Sequence, residues 1–390
     1  MTTRKTNGSK DIVSKDIASK ERGGVNRRDF VKTTVAGAAV AATASAAGTF
    51  PTKVFAQSQR DVAFTLSWIP NGGSAWVNVG LAKGIFKKHG FNVSVSRGFG
   101  SVASAQAVAQ GKFNFGVSAA PTSYLQCVKG MKIMHLGCTS YSSAMGVGFL
   151  RNNGIKTPKD LEGKKMGSVV ASGEFPFLPA FAKRAGFDWS KVEVVQVDNK
   201  IRTGVMLSKQ VDCISCFATS VAPDVATKGY DVGWFLYDDY GMGFYGYMLI
   251  TQPEMLKKDK ALCEAFTEAH MEAVKYTMLN PDEALAIFLK QVPEAGMTPA
   301  RKKALAMELG LFAKLNLTPE VKNTGIGSIS MKNYESMAEM IMKYVAKPGE
   351  KAPALDAMLH TGFIDNKVKF SSSELTQVEA YAKQFDKVLA

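Results

Sequence analysis

The sequence predicts an α/β protein built as two lobes, and three observations carry that prediction. From Asp61 onward, short apolar runs alternate with helical patterns, as in layered, largely parallel α/β folds. With an N-terminal leader set aside, about 334 residues remain, more than one growing hydrophobic core usually holds. A polar, Pro/Gly-marked stretch from Ile155 to Gly167 then separates two βα series.

In chain order, the β-prone runs are Val62 to Ser67, Asn92 to Ser96, Phe113 to Val117 and Lys132 to Cys138, then Lys165 to Val169, Glu193 to Val197, Val211 to Cys216 and Gly233 to Leu236. Helical patterns fall between them at Ala75 to His89, Val102 to Gln110, Thr122 to Lys129, Phe175 to Ala185 and Ile201 to Lys209. One more strand, Tyr245 to Thr251, can return to the first sheet. Beyond Pro253 the chain reads as mainly helical, with amphipathic stretches at Leu262 to Leu279, Asp282 to Gln291 and Lys302 to Leu315. The expected division is residues 1–56 as leader, 57–150 with 246–390 as lobe one, and 151–245 as lobe two.

The leader has the pattern of a twin-arginine export signal. A basic stretch leads into Asn26-Arg27-Arg28-Asp29-Phe30-Val31-Lys32, a mild Ala/Gly/Thr run follows from Thr33 to Phe50, and Val54-Phe55-Ala56 offers a small-residue cleavage pattern. That run is too weakly apolar for a bilayer-spanning helix. The reading implies the twin-arginine translocase as an export partner and a periplasmic, monomeric product cleaved near Ala56. Residues 1–56 hold ten Lys or Arg against four Asp or Glu, so the remainder keeps +8 of the total +14. Without a polybasic block, that excess describes a solvated surface and argues against nucleic-acid binding. Five cysteines cannot form a complete disulfide framework. Cys213 and Cys216 sit in a β-prone run with no second ligand pair, and the four histidines lack metal spacing, so neither a metal nor a redox centre is expected.

Two segments make the chain recognisable. Trp68-Ile69-Pro70-Asn71, followed by Gly84-Ile85-Phe86-Lys87-Lys88-His89-Gly90-Phe91, resembles the opening of the NMT1/THI5-like solute-binding proteins of nitrate, sulfonate and taurine type. Gly111 to Val117, Pro158 to Gly167 and Gln210-Val211-Asp212 agree with it in family order. The resemblance implies a periplasmic-binding-protein fold of type II, with two crossover strands, a ligand cleft between the lobes, and an ABC permease and ATPase as partners. Crossovers are expected near Phe149 to Asn152 and Phe244 to Tyr247. Related pyrimidine synthases carry an active-site His shortly after the Pro-Asn element. Here Asn71-Gly72-Gly73-Ser74 has none, so a binding protein without cofactor or turnover is expected rather than an enzyme.

Ligands in open α/β sheets sit beyond the carboxyl ends of strands, near helix N-termini. That places Asn71, Ser118, Thr122, Ser172, Glu174 and Asp198 in candidate cleft turns, although Ser and Thr there also serve as helix caps. Trp68, Tyr141, Tyr240 and Tyr245 are candidate aromatic walls, whereas Trp234 reads as core. The segment Tyr240 to Gly246 resembles the Gly/aromatic crossover of family members that bind thiamine-precursor pyrimidines, which implies a planar heteroaromatic ligand. Against this, Arg97, Lys200 and Arg202 suit a small anion such as nitrate, an alkanesulfonate or a taurine-like solute. Sequence leaves both open, along with a sensory rather than transport role.

Overall fold

The computed structural model describes residues 59–389. The export motif and its cleavage position lie outside them.

Among the described residues, ten strands form two five-stranded sheets. The first contains β1 (Arg60–Thr65), β2 (Phe91–Ser96), β3 (Phe115–Ala119), β4 (Met134–Cys138) and β10 (Tyr247–Thr251), in the order β2-β1-β3-β10-β4. The second contains β5 (Met145–Leu150), β6 (Lys165–Ser168), β7 (Glu193–Gln196), β8 (Cys213–Phe217) and β9 (Val232–Leu236), in the order β7-β6-β8-β5-β9. The two orders follow one plan. Three parallel strands come first, and then a strand arriving from the other lobe inserts antiparallel: β10 between β3 and β4, β5 between β8 and β9. Two chain crossings therefore join the lobes, at residues 139–144 and 237–246.

The first crossing corrects the sequence reading, which placed it at Phe149 to Asn152 and ended lobe one at residue 150. Met145–Leu150 belongs to the second sheet, with all six residues buried. Its two glycines weaken the strand signal, since Gly is depleted in strands. They are there for close approach: a Cβ on Gly148 would lie 2.6 Å from the Trp234 ring, and one on Gly146 2.3 Å from the Phe235 carbonyl. Trp234 packs on β5 but is only half-buried, at the margin of the second-lobe core rather than inside it.

Helices cover the sheets: α1 (Ala75–Ala82), α2 (Ile85–Lys88), α3 (Ser101–Ala109) and α4 (Ala120–Val128) in the first series, α5 (Leu178–Ala185), α6 (Arg202–Leu207) and α7 (Ala218–Thr227) in the second. The single helix expected over Ala75 to His89 breaks at Gly84, whose φ of +68° suits glycine. Helix α7 escaped the sequence reading because Pro223 sits inside it. The C-terminal part adds α8 (Pro253–Lys258), α9 (Lys260–Leu279), α10 (Pro281–Gln291), α11 (Pro299–Asn316), α12 (Pro319–Thr324), α13 (Met331–Tyr344) and α14 (Ser372–Ala382). Helix α9 supplies Phe266, stacked on Phe115 at 4.2 Å between ring centroids, to the core of the first lobe. Helix α11 packs against both the turn before α1 and α7 of the second lobe. Cys213 and Cys216 are buried in β8, and burial pushes the Cys216 thiol up to about 12.

Candidate ligand cleft

The cleft lies where the carboxyl ends of β1, β3 and β8 meet the first crossing. It encloses about 910 Å³ of atom-free space, solvent at its mouth included. Its aromatic walls are Trp68, Trp76, Phe217, Tyr247 and Phe312. Phe217 from lobe two stacks on Tyr247 from the returning strand at 5.5 Å and 11° between planes, so one wall joins both lobes. Burial pushes the Tyr247 phenol up to about 12, which keeps it a neutral hydrogen-bonding group.

Between these walls the lining is rich in hydroxyls. Ser101 opens α3, Thr219 and Ser220 open α7, and Thr139, Ser140, Ser142 and Ser143 come from the crossing itself. The loop after β1 is pinned at two points: Asn71 N–H donates to Ser74 Oγ (3.0 Å) and Gly72 N–H to Glu308 Oε2 (2.7 Å). Glu308, on α11, lines the cleft while accepting from Arg301 (2.9 Å). Burial pushes its carboxyl up, and the neighbouring Arg301 cation and the Gly72 N–H pull it back.

Arg202 is the cationic side chain in the lining, only 3% exposed. Its guanidinium lies 4.9 Å from the Trp68 ring centroid, a cation–π contact across the lobes. Behind it, Glu174 is fully buried and accepts from Arg202 Nη1 (3.5 Å), from Ser215 Oγ (3.1 Å) and from Ser172 Oγ. Arg202 Nη2 reaches Ser220 Oγ at 3.4 Å, and Nε has no partner among the described residues.

Of the ten residues expected in the site, Trp68, Asn71 and Ser172 line the cleft. The other seven do not, each for a physical reason. Ser118 is spent on the Ser101 carbonyl (3.0 Å), and Thr122 donates across the lobe seam to the Gly173 carbonyl (2.9 Å). Tyr141 OH donates to the Ser328 carbonyl (2.9 Å) and accepts from Gly327 N–H (3.0 Å), anchoring the C-terminal segment. Tyr245 OH is held by the Glu320 carboxylate at 2.8 and 2.9 Å. Tyr240 packs edge-on against Phe181 at 5.2 Å. Glu174 sits one layer back, behind Arg202. Asp198 is exposed and caps its own turn by accepting from Lys200 N–H (2.8 Å). Arg97 lies over the exposed Phe99 ring instead of in the cleft.

The NMT1/THI5-like family model matches residues 71–284, more than half of the chain. The chain belongs to that family. A putative thiamine biosynthesis protein of Haemophilus influenzae is 24% identical over 287 residues, covering 73% of this chain and 88% of the relative. A formylaminopyrimidine-binding protein of Halalkalibacterium halodurans is 23% identical over 231 residues, covering 59% and 70%. Among solved structures, a Bordetella bronchiseptica protein superposes with a TM-score of 0.64 at 20% identity over 79% of this chain and 96% of its own. The alkanesulfonate-binding protein SsuA of Xanthomonas axonopodis, bound to MOPS, does so at 0.60 and 10% identity over 77% and 98%. At such identities these structures establish the shared two-lobed fold.

Proposed function

We propose that this protein is the periplasmic solute-binding subunit of an ABC importer, and that it takes a planar heteroaromatic solute of pyrimidine type into the cleft between its lobes. The observation that carries this is the composition of the cleft: flat aromatic walls from both lobes around a belt of neutral hydroxyls. Aromatic faces favour a flat ring, and hydroxyls that donate or accept suit the mixed edge of a nitrogen heterocycle. The formylaminopyrimidine-binding relative points to the same solute class. Closure about the two crossings would bury the solute from both sides. The lobes would comprise 59–138 with 247–389, and 145–236. Export by the twin-arginine route, cleavage near Ala56 and a monomeric product complete the reading. So does the absence of turnover: the loop after Pro70 offers Asn71 and Ser74, and no histidine.

Arg202 favours a second reading, an anion such as nitrate or a sulfonate, since a guanidinium in the lining is the usual partner of such groups. Thermal-shift measurements with formylaminopyrimidine, aromatic acids, alkanesulfonates and nitrate separate the two. The heterocycle should stabilise the parent, and Trp68→Ala should bind it about tenfold to a hundredfold more weakly, on the order of 1 to 3 kcal/mol. Stabilisation confined to nitrate or short sulfonates, with Trp68→Ala binding them as tightly as the parent, would refute the planar-solute reading.

A further inference from the structure

An arginine side chain carries five N–H donors in a rigid fork, and burying it is costly unless they are used. Arg202 is buried yet meets only two long contacts, 3.5 Å to Glu174 and 3.4 Å to Ser220, while its Nε–H has no partner among the described residues. Trp68 covers one face of the guanidinium. An under-used fork in the wall of a cleft is a donor set awaiting an acceptor. Its charge, however, is already matched. Glu174 stands directly behind it, held in place by Ser172 and Ser215, and the other charged lining residue, Glu308, is a carboxylate paired with Arg301. Together Arg202, Glu174, Glu308 and Arg301 add no net charge, so a full anion entering the cleft finds donors but no uncompensated cation.

We propose that Arg202 is the anchor for a hydrogen-bond acceptor of the solute, and that Glu174, by neutralising it from behind, sets the cleft to prefer an uncharged planar acceptor, a ring nitrogen or amide carbonyl, over an anion. This rests on the reading of the cleft as the solute site and adds how that site selects. Glu174→Gln keeps the shape, with the amide oxygen still accepting from Ser215 and the amide NH2 donating to Ser172 Oγ, but removes the compensating charge, turning Arg202 into a free cation. The test titrates parent and Glu174→Gln with MOPS and with nitrate, following Trp fluorescence. The expected result is at least tenfold tighter anion binding by Glu174→Gln, lost again in Glu174→Gln/Arg202→Gln. Equal anion affinity in parent and Glu174→Gln overturns the proposal.

The double variant removes both buried charges and carries the test should the single one not fold. It should bind formylaminopyrimidine at least tenfold more weakly than the parent, and parental affinity would overturn the anchor role. A parent that ignores the heterocycle while Glu174→Gln gains anion affinity refutes the solute class proposed above and keeps the Arg202–Glu174 device. A parent that binds the heterocycle beside an indifferent Glu174→Gln does the reverse.

Discussion

Replacing Gly100 by alanine should oppose lobe closure and weaken solute binding with it. Gly100 stands at the N-terminus of α3, where lobe one meets the Ala171–Gly173 turn of lobe two, and a Cβ there would lie 2.0 Å from the Ala171 carbonyl oxygen. Ordinary contact needs about 3.5 Å, so the seam must open by roughly 1 Å or more. That stretches the two hydrogen bonds beside it, Val102 N–H to the Ala171 carbonyl (3.2 Å) and Thr122 Oγ1 to the Gly173 carbonyl (2.9 Å). Each contributes about 0.5–1.5 kcal/mol, so affinity should fall by about 1–3 kcal/mol, roughly tenfold to a hundredfold. The backbone at φ +129° and ψ 153° adds strain of about 1–3 kcal/mol for any residue with a Cβ, felt with or without solute. The two effects are separable. Strain lowers the thermal midpoint of the solute-free protein, whereas the seam clash appears in calorimetric titration with formylaminopyrimidine and in small-angle scattering. Gly100→Ala should bind weakly and compact less on saturation. Parental affinity together with parental compaction would show that closure does not use this seam.

Two further outcomes follow from the same structure and one from the sequence of the leader. Tyr141→Phe should destabilise the fold by about 1–3 kcal/mol in urea unfolding, because it strips the buried Gly327 N–H of its acceptor, yet change solute affinity little. A large affinity loss at unchanged stability would put Tyr141 back in the site. His135 and His270 are fully buried, and desolvation lowers each to about 3. Their unfolded forms bind protons near pH 6.5, so stability is lost as pH falls from there towards 3, by about 2 kcal/mol per histidine at pH 5. Urea unfolding at pH 7 and pH 5 should show that loss shrinking in His270→Gln, and an unchanged pH dependence would contradict it. Finally, Arg27→Lys/Arg28→Lys should leave uncleaved precursor in the cytoplasm, read by fractionation and N-terminal sequencing. Normal export of that variant would remove the twin-arginine route.

The parallel strands were legible because their apolar runs are short and bounded by turn residues, as in Val62 to Ser67. The strand at Met145–Leu150 was not, since its glycines serve contacts to Trp234 and Phe235 that no local pattern reveals. In the cleft, Trp68, Asn71 and Ser172 were readable as turn residues after strands. Glu308 and Phe312 were not, because they sit on a long C-terminal helix whose course back to the first loop is a tertiary fact. The aromatic residues of the second crossing misled for a related reason. Tyr240 and Tyr245 lie in the expected segment, but their rings turn into the core and towards Glu320, while the neighbouring Tyr247 reaches the cleft. Arg202 and Glu174 both stand out in the sequence as charged candidates. Only the fold shows that they form one unit, the arginine in front and the carboxylate behind.

A crystal structure of the protein with formylaminopyrimidine would decide whether a flat, uncharged heterocycle binds between the lobes. The expected density is a ring held between Trp68 and the Phe217–Tyr247 wall, with a ring nitrogen or carbonyl within hydrogen-bond distance of Arg202. A cleft that stays empty at saturating solute, or a ring bound at any other surface, would contradict it.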